Sequence, residues 1–201
     1  MKLITVRHGE TENNATGITQ GWLDSKLNDK GIEQARKVAE RLKNEKIDVI
    51  YSSDLKRASR TAEEIVKLQD CELILEERLR EQNKGKYNGG PTEDLNRAAK
   101  ESGENVLDWI PEGGESLNNV KKRVLKFLDE IEKKHTDETV LIVSHGGPMA
   151  MISRHIWKDT EYEPEKCEGR NHSHKNTAIS EYFFDGKKWK GSKFNCTEHL
   201  T

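Results

Sequence analysis

His8 stands between Arg7 and Gly9, where an apolar run from Leu3 to Val6 meets charge. An imidazole is a modest nucleophile toward phosphorus. Beside guanidinium groups that hold a phosphate dianion its attack becomes feasible, because the cations neutralise the charge on the group being transferred. The chemistry these residue types suggest is phosphoryl transfer through a phosphohistidine. Arg-His-Gly alone also occurs as a plain turn after a strand. Here the same pattern, an apolar strand running into polar or charged residues, returns twice: Ile47 to Arg57 (IDVIYSSDLKR) and Thr139 to Gly147 (TVLIVSHGG).

Three such segments need a scaffold that brings them together. A polar loop from Glu10 to Leu27 precedes a helix expected from Asp29 to Asn44, whose Ile32, Ala35, Val38, Ala39 and Leu42 recur at helical spacing. A strand at Val49–Ser52 feeds a helix expected from Asp54 to Leu68, with Ser53 or Asp54 as its cap and Arg57 in its first turn. An arginine there adds a bidentate fork to the anion-binding tendency of a helix N-terminus. Leu73 to Leu75 read as a short strand, and Glu81 follows just before a loop. Residues 82–115 are rich in Gly, Asn, Lys and Glu and read as a cover over a site. A long amphipathic helix is expected from Ser116 to His135, with Ser116 as cap, then a doubly covered strand at Val140–Val143 and a helix opened by Gly146 and Gly147 that runs to Trp157. Ala178 to Phe184 and Lys187 to Phe194 flank a hairpin turn at Asp185 and Gly186.

Alternating strands and helices predict an α/β fold: a three-layer α/β/α sandwich with a largely parallel central sheet, helices on both faces and an edge hairpin. In such sheets the ligand lies beyond the carboxyl ends of the strands. One topology therefore gathers Arg7, His8, Arg57 and His145 around one cleft.

The 201 residues suit one domain, 1–201, with 82–115 inserted over the site. Thirty-four Lys and Arg oppose 36 Asp and Glu, a balance that argues against a dedicated nucleic-acid or membrane-surface binder. Charge at Arg7 and Glu10 comes too early for a signal-peptide core, so a cytoplasmic protein is expected. Cys71, Cys167 and Cys196 form neither a disulfide framework nor a zinc pattern. His172 and His174, in NHSH, are the nearest approach to a metal site, but no carboxylate or cysteine ligand pattern accompanies them.

The chain resembles the histidine phosphatase superfamily, which also contains the cofactor-dependent phosphoglycerate mutases. The resemblance rests on six ordered blocks: RHGETENN at the start, QGWLDSKLNDKGIEQA from Gln20, SSDLKRASRTAE from Ser52, LREQNKGKYNG from Leu79, PEGGESL from Pro111 and VSHGGPM from Val143. It implies that His8 is the nucleophile, that Arg7, Arg57 and His145 hold the phosphoryl oxygens with help from Asn14, and that Glu81 is the general acid and base. It also implies that Gln20 and Gly21 line the substrate approach and that Gly146 joins the phosphate site. By itself Glu81 reads equally as a surface carboxylate paired with Arg78 or Arg80. Many relatives carry an arginine two residues before the Gln-Gly pair, where this chain has Ile18. The paired arginines with which mutases grip their substrate are missing too: between Glu81 and Gly113 stand only Arg97, Lys84, Lys86 and Lys100.

These readings favour a metal-independent phosphatase acting on a small phosphorylated metabolite without a cofactor. A mutase, which would need 2,3-bisphosphoglycerate, and a phosphoprotein phosphatase or phosphate-sensing module are the alternatives. Phosphosugars, phosphoglycerates, a phosphorylated riboside and nucleotide monophosphates all remain open as substrates. Either a monomer or a homodimer is compatible with the sequence, although lysines 187, 188, 190 and 193 discourage pairing at the hairpin edge.

Overall fold

Four parallel strands, β1 (Lys2–Arg7), β2 (Val49–Ser52), β3 (Glu72–Leu75) and β4 (Thr139–Ser144), form the centre of the sheet together with an antiparallel pair, β5 (Ile179–Phe184) and β6 (Trp189–Cys196). The strand order is β3-β2-β4-β1-β5-β6, so the hairpin closes one side and β6 is an edge. This is a computed structural model, and it describes residues 1–157 and 174–201. Cys167 and the first three residues of the NHSH segment lie outside the described residues.

Alternation along the strands divides the interior into two cores, as a period of two requires. Leu3, Val49, Tyr51, Val140 and Ile142 face one way, toward α5 (Leu117–Lys134) and α6 (Gly146–Trp157). Ile4, Val6, Ile50, Leu141 and Val143 face the other way, toward α2 (Asp29–Leu42) and α3 (Lys56–Val66). Of the apolar stripe expected on α2, Ala35, Val38, Ala39 and Leu42 are buried and Ile32 is half-buried, and the helix stops two residues short of Asn44. Ser116 caps α5 by accepting the Asn119 N–H at 3.1 Å. Two shorter helices, α1 (Glu12–Ala15) and α4 (Thr92–Glu101), lie in the connecting segments.

The start of α3 differs from expectation. Neither Ser53 nor Asp54 caps it; the N-cap position is Leu55, which makes no side-chain cap. Asp24 instead comes from the preceding loop, and its Oδ1 accepts the Lys56 N–H at 2.8 Å. The two expected caps are engaged elsewhere: Ser53 Oγ meets His145 Nε2 at 2.8 Å, and the Asp54 carboxylate takes the Arg80 guanidinium. Arg57 nevertheless stays in the first turn.

Register carries the three strand ends to one level. Arg7 pairs with Ser144 and Ser52 with Val143. The ladder then continues past the strands, with His8 N–H on Ser144 O and Ser53 N–H on Val143 O, each at 3.0 Å.

Candidate active site

His8 and His145 emerge side by side from β1 and β4, with ring centroids 5.1 Å apart, and both are buried, at 2% and 0% exposure. His8 is held from several directions. Its carbonyl accepts the Asn176 Nδ2–H at 2.9 Å, and the Gly9 N–H donates to Thr61 Oγ1 at 3.1 Å, tying the turn to α3. Its Nδ1 lies 2.7 Å from Gly9 O. A carbonyl only accepts, so Nδ1 carries the proton and Nε2 keeps its lone pair. Burial first, then the guanidinium groups of Arg57 and Arg7, pushes the His8 pKa well below its ordinary value, which keeps that lone pair available.

Arg57 is 1% exposed and anchored at three of its five N–H groups. Nη1 donates to Leu23 O at 2.7 Å, Nη2 to Gly21 O at 2.8 Å, and Nε to His145 Nδ1 at 3.1 Å. Among the described residues one N–H on each terminal nitrogen has no acceptor, and such donors can take oxygens of a phosphoryl group. Arg7 spends Nη1 on His174 O at 2.6 Å, while its buried Nε has no hydrogen-bond partner among the described residues. Burial lowers the pKa of both arginines, that of Arg57 to about 10, which leaves Arg57 a cation at neutral pH.

His145 has a more specific place than the resemblance implies. Its Nδ1 accepts from Arg57, which can only donate, so Nε2 carries the proton and gives it to Ser53 Oγ. Both ring nitrogens are thus occupied in orienting Arg57, and direct contact with a phosphoryl oxygen requires one of them to be released. Its pKa is driven well down by burial, then by Arg57, His8 and Arg7.

Glu81 approaches from the opposite wall, at the N-terminus of α6. Oε1 accepts the Gln82 N–H at 2.7 Å and shares the Gly147 N–H with Oε2 at 3.2 Å. A Cβ at residue 147 would overlap Oε1, so glycine is what lets the carboxylate reach the helix end. Its reading as a surface ion pair fails, because Arg78 pairs with Glu76 and Glu130 and Arg80 with Asp54 and Glu77.

The remaining expected residues surround this centre. Asn14 Oδ1 takes the Thr11 N–H at 3.3 Å and the Asn14 N–H returns to Thr11 Oγ1 at 3.1 Å in a capping box, which commits the side-chain oxygen of Asn14 and leaves its Nδ2 as a donor. Buried Gln20 accepts from Thr11 Oγ1 at 3.0 Å. Gly21 adopts φ 47° and presses against the Gln82–Asn88 segment so closely that a Cβ there would overlap Asn88 Oδ1. Gly146 sits 3.8 Å from Glu81 Oε2, measured from an ideal Cβ. His174, the described histidine of NHSH, places Nε2 3.1 Å from Ser153 Oγ.

Several site residues carry no signal in the reading of the sequence. Arg123, from α5, holds the segment around Glu81 through Arg78 O at 2.6 Å, Glu81 O at 3.0 Å and the Glu115 carboxylate at 2.8 Å. The Trp22 indole donates to Glu81 O at 2.8 Å. Asn176 alone was within reach of inference, since a strand antiparallel to β1 must start beside the end of β1.

Comparison with known proteins places this constellation in a family. The profile of the histidine phosphatase superfamily (branch 1) matches residues 3–197, and the chain belongs to that superfamily. Phosphoserine phosphatase 1 of Hydrogenobacter thermophilus is 42% identical over 156 residues, covering 74% of this chain and 72% of that protein. Phosphoglycerate mutase-like protein 4 of Arabidopsis thaliana is 37% identical over 207 aligned residues, covering 99% and 86%. Among solved structures, phosphoserine phosphatase from Entamoeba histolytica in complex with 3-phosphoglyceric acid superposes with a TM-score of 0.82 at 32% identity, covering 100% of this chain and 99% of that one.

Two neutral, buried imidazoles have a consequence for stability. Both folded-state pKa values lie below the unfolded value near 6.5, so the unfolded chain binds more protons as pH falls through that value. Their contribution is fully present above about pH 6.5 and is lost progressively below it, as the unfolded chain takes up protons that the folded one does not. Denaturant unfolding of the wild type at pH 7.5, 6.0 and 5.0 should show this decline. Replacing His8 with asparagine should reduce the slope, with His145 and His199, whose pKa is lowered to about 4, carrying part of the rest. A stability that is flat from pH 6.5 to 5.0 would contradict the neutral assignment.

Proposed function

We propose that this chain is a phosphatase that hydrolyses a small phosphomonoester through a phosphohistidine on His8, without a metal ion. The observation that carries the reading is the pairing of an imidazole held neutral, with Nδ1–H fixed on Gly9 O, and two buried guanidinium groups retaining unused N–H donors. Arg7 and Arg57 receive the phosphoryl oxygens, Asn14 adds a donor, and His145 and Ser53 fix the Arg57 plane. Nε2 of His8 attacks phosphorus, the P–O ester bond breaks, and Glu81 gives its proton to the departing alkoxide. Oε2 is the better placed of its oxygens for that proton, since Oε1 already accepts from two backbone N–H groups. Glu81, now a carboxylate, takes a proton from water; the oxygen attacks phosphorus, and the P–N bond electrons return to Nε2.

The charges need no metal in this scheme, because two arginine cations balance a phosphate dianion. The names of the relatives support hydrolysis of small phosphorylated compounds. A mutase is less favoured because two of the cations after Glu81, including the arginine, are engaged elsewhere: Lys86 pairs with Glu112 and Arg97 with Asp94, both on the surface. Gln82, Lys84 and Asn88 lie against Gly21, which supports residues 82–115 as a cover for the site within a single domain.

The test is phosphate release from a panel of phosphomonoesters, with 3-phosphoglycerate isomerisation followed in the same tubes, with and without 2,3-bisphosphoglycerate and with a chelator. Phosphate release without isomerisation, surviving the chelator, is the expected result. Bisphosphate-dependent isomerisation would make the chain a mutase, and inactivation that a divalent metal reverses would end the metal-free scheme.

A further inference from the structure

The leaving group of a phosphoester held by Arg7 and Arg57 has to lie beside Glu81, which protonates it. The residues that follow Glu81 therefore flank the carbon skeleton of the substrate. Lys84 stands out among them. Its Nζ donates to the amide oxygen of buried Gln82 at 2.6 Å, and no carboxylate lies within ion-pair distance of it among the described residues. Burial is the largest influence on its pKa and lowers it, against the pull of Glu81 and Glu115. Neither acid is free to pair with it: Glu81 is bound to the Gly147 and Gln82 N–H groups, and Glu115 is held by Arg123 at 2.8 Å.

A desolvated ammonium with one neutral acceptor is incompletely compensated. Its position says what would complete it. An ideal Cβ at Gly21 would stand 3.0 Å from Lys84 N, and Gly21 O is an anchor of Arg57. One residue therefore separates the backbone at Lys84 from the arginine that faces the phosphoryl group. The neighbouring cations are neutralised, Lys86 by Glu112 and Arg123 by Glu115, so the added charge here is a single one. That suits a monoanion better than a second phosphate dianion.

We propose that Lys84 is a specificity-determining residue that pairs with a carboxylate on the leaving group, so that the preferred substrates are phosphomonoesters of hydroxy acids. This rests on the phosphatase reading above. The Lys84 ammonium keeps one hydrogen bond to Gln82 and offers two more donors to the carboxylate, which fixes the ester oxygen in front of Glu81.

The experiment compares kcat/KM within matched pairs that differ by the carboxylate: phosphoserine against phosphoethanolamine, and 3-phosphoglycerate against glycerol 3-phosphate. The wild type should prefer the acid of each pair by about ten- to a hundredfold, the range expected of a charge-assisted contact. Lys84→Gln should bring both ratios close to one, mainly by raising KM for the acids, and Lys84→Arg should retain most of the preference. Because each ratio is taken within one protein preparation, partial misfolding of a variant cancels. A wild-type ratio near one, or a ratio that Lys84→Gln leaves intact, would overturn the proposal. If His8-dependent hydrolysis of p-nitrophenyl phosphate accompanies that result, only the assignment of Lys84 fails. If no ester is hydrolysed, the phosphatase reading fails and takes this one with it.

Discussion

His8→Ala should give a folded protein whose phosphate release is lower by roughly four orders of magnitude or more, as when a nucleophile that forms the covalent intermediate is removed. The fold should survive because His8 lies just past the end of β1, its ladder hydrogen bond is made by the backbone, and its side chain contributes to neither apolar core. Among the described residues its side chain makes one hydrogen bond, to a carbonyl of its own turn, so the loss in stability should be about 1–3 kcal/mol. The surrounding cations remain, and the variant should still bind phosphate or a substrate without turning it over. The decisive measurement joins rate to labelling. After a brief mixing with a radiolabelled ester, the wild type should carry acid-labile, base-stable phosphate and His8→Ala none. Turnover by the variant within tenfold of wild type, or an unchanged label, would sink the phosphohistidine mechanism.

Much of the fold could be read from alternation. Val140 to Val143 are apolar at every position and Leu3 to Val6 at all but Thr5, because helices cover both faces, and the apolar residues enter different cores by turns. Three strands ending in Arg7-His8, Ser52-Ser53 and Ser144-His145 were enough to foresee one cleft, since parallel neighbours end at the same edge. What the sequence concealed is where polar side chains would be drawn by distant partners. Ser53 and Asp54 have the composition of helix caps, but His145 and Arg80 claim them, and the cap comes from Asp24, 32 residues before the N–H it serves. Local propensity has no access to such competition.

The same applies to the site. The residues directly after strands were legible because the strands fix their positions. Arg123 was not, since it lies on the polar side of an amphipathic helix where a solvated arginine reads identically, and only the folded chain brings the carbonyls of Arg78 and Glu81 to it. Lys84 shows the opposite difficulty. The sequence marks it as one lysine in a charged segment, yet Lys86 is exposed and paired while Lys84 is half-buried and, among the described residues, has no acid within ion-pair distance.

Glu81→Gln should separate the two halves of the reaction, because the residue is assigned an acid role in the first and a base role in the second. Glutamine has the same shape, and its Oε1 can keep both backbone contacts, from Gln82 and Gly147, so the segment should hold its place. What it lacks is a transferable proton and later a proton acceptor. With an alkyl phosphate, whose leaving group needs the proton, formation of the phosphoenzyme should slow by about 10²–10⁴-fold. With p-nitrophenyl phosphate, whose phenolate leaves readily, the first step should stay within about tenfold of wild type, while hydrolysis of the phosphohistidine is slowed for want of a base. The aryl substrate should then show a burst of one p-nitrophenol per active site followed by slow turnover, and labelled phosphoenzyme should accumulate above the wild-type level. The alkyl substrate should show neither, because its first step has become limiting. Equal losses on the two esters with no burst would remove Glu81 from proton transfer and leave it a purely structural partner for the start of α6.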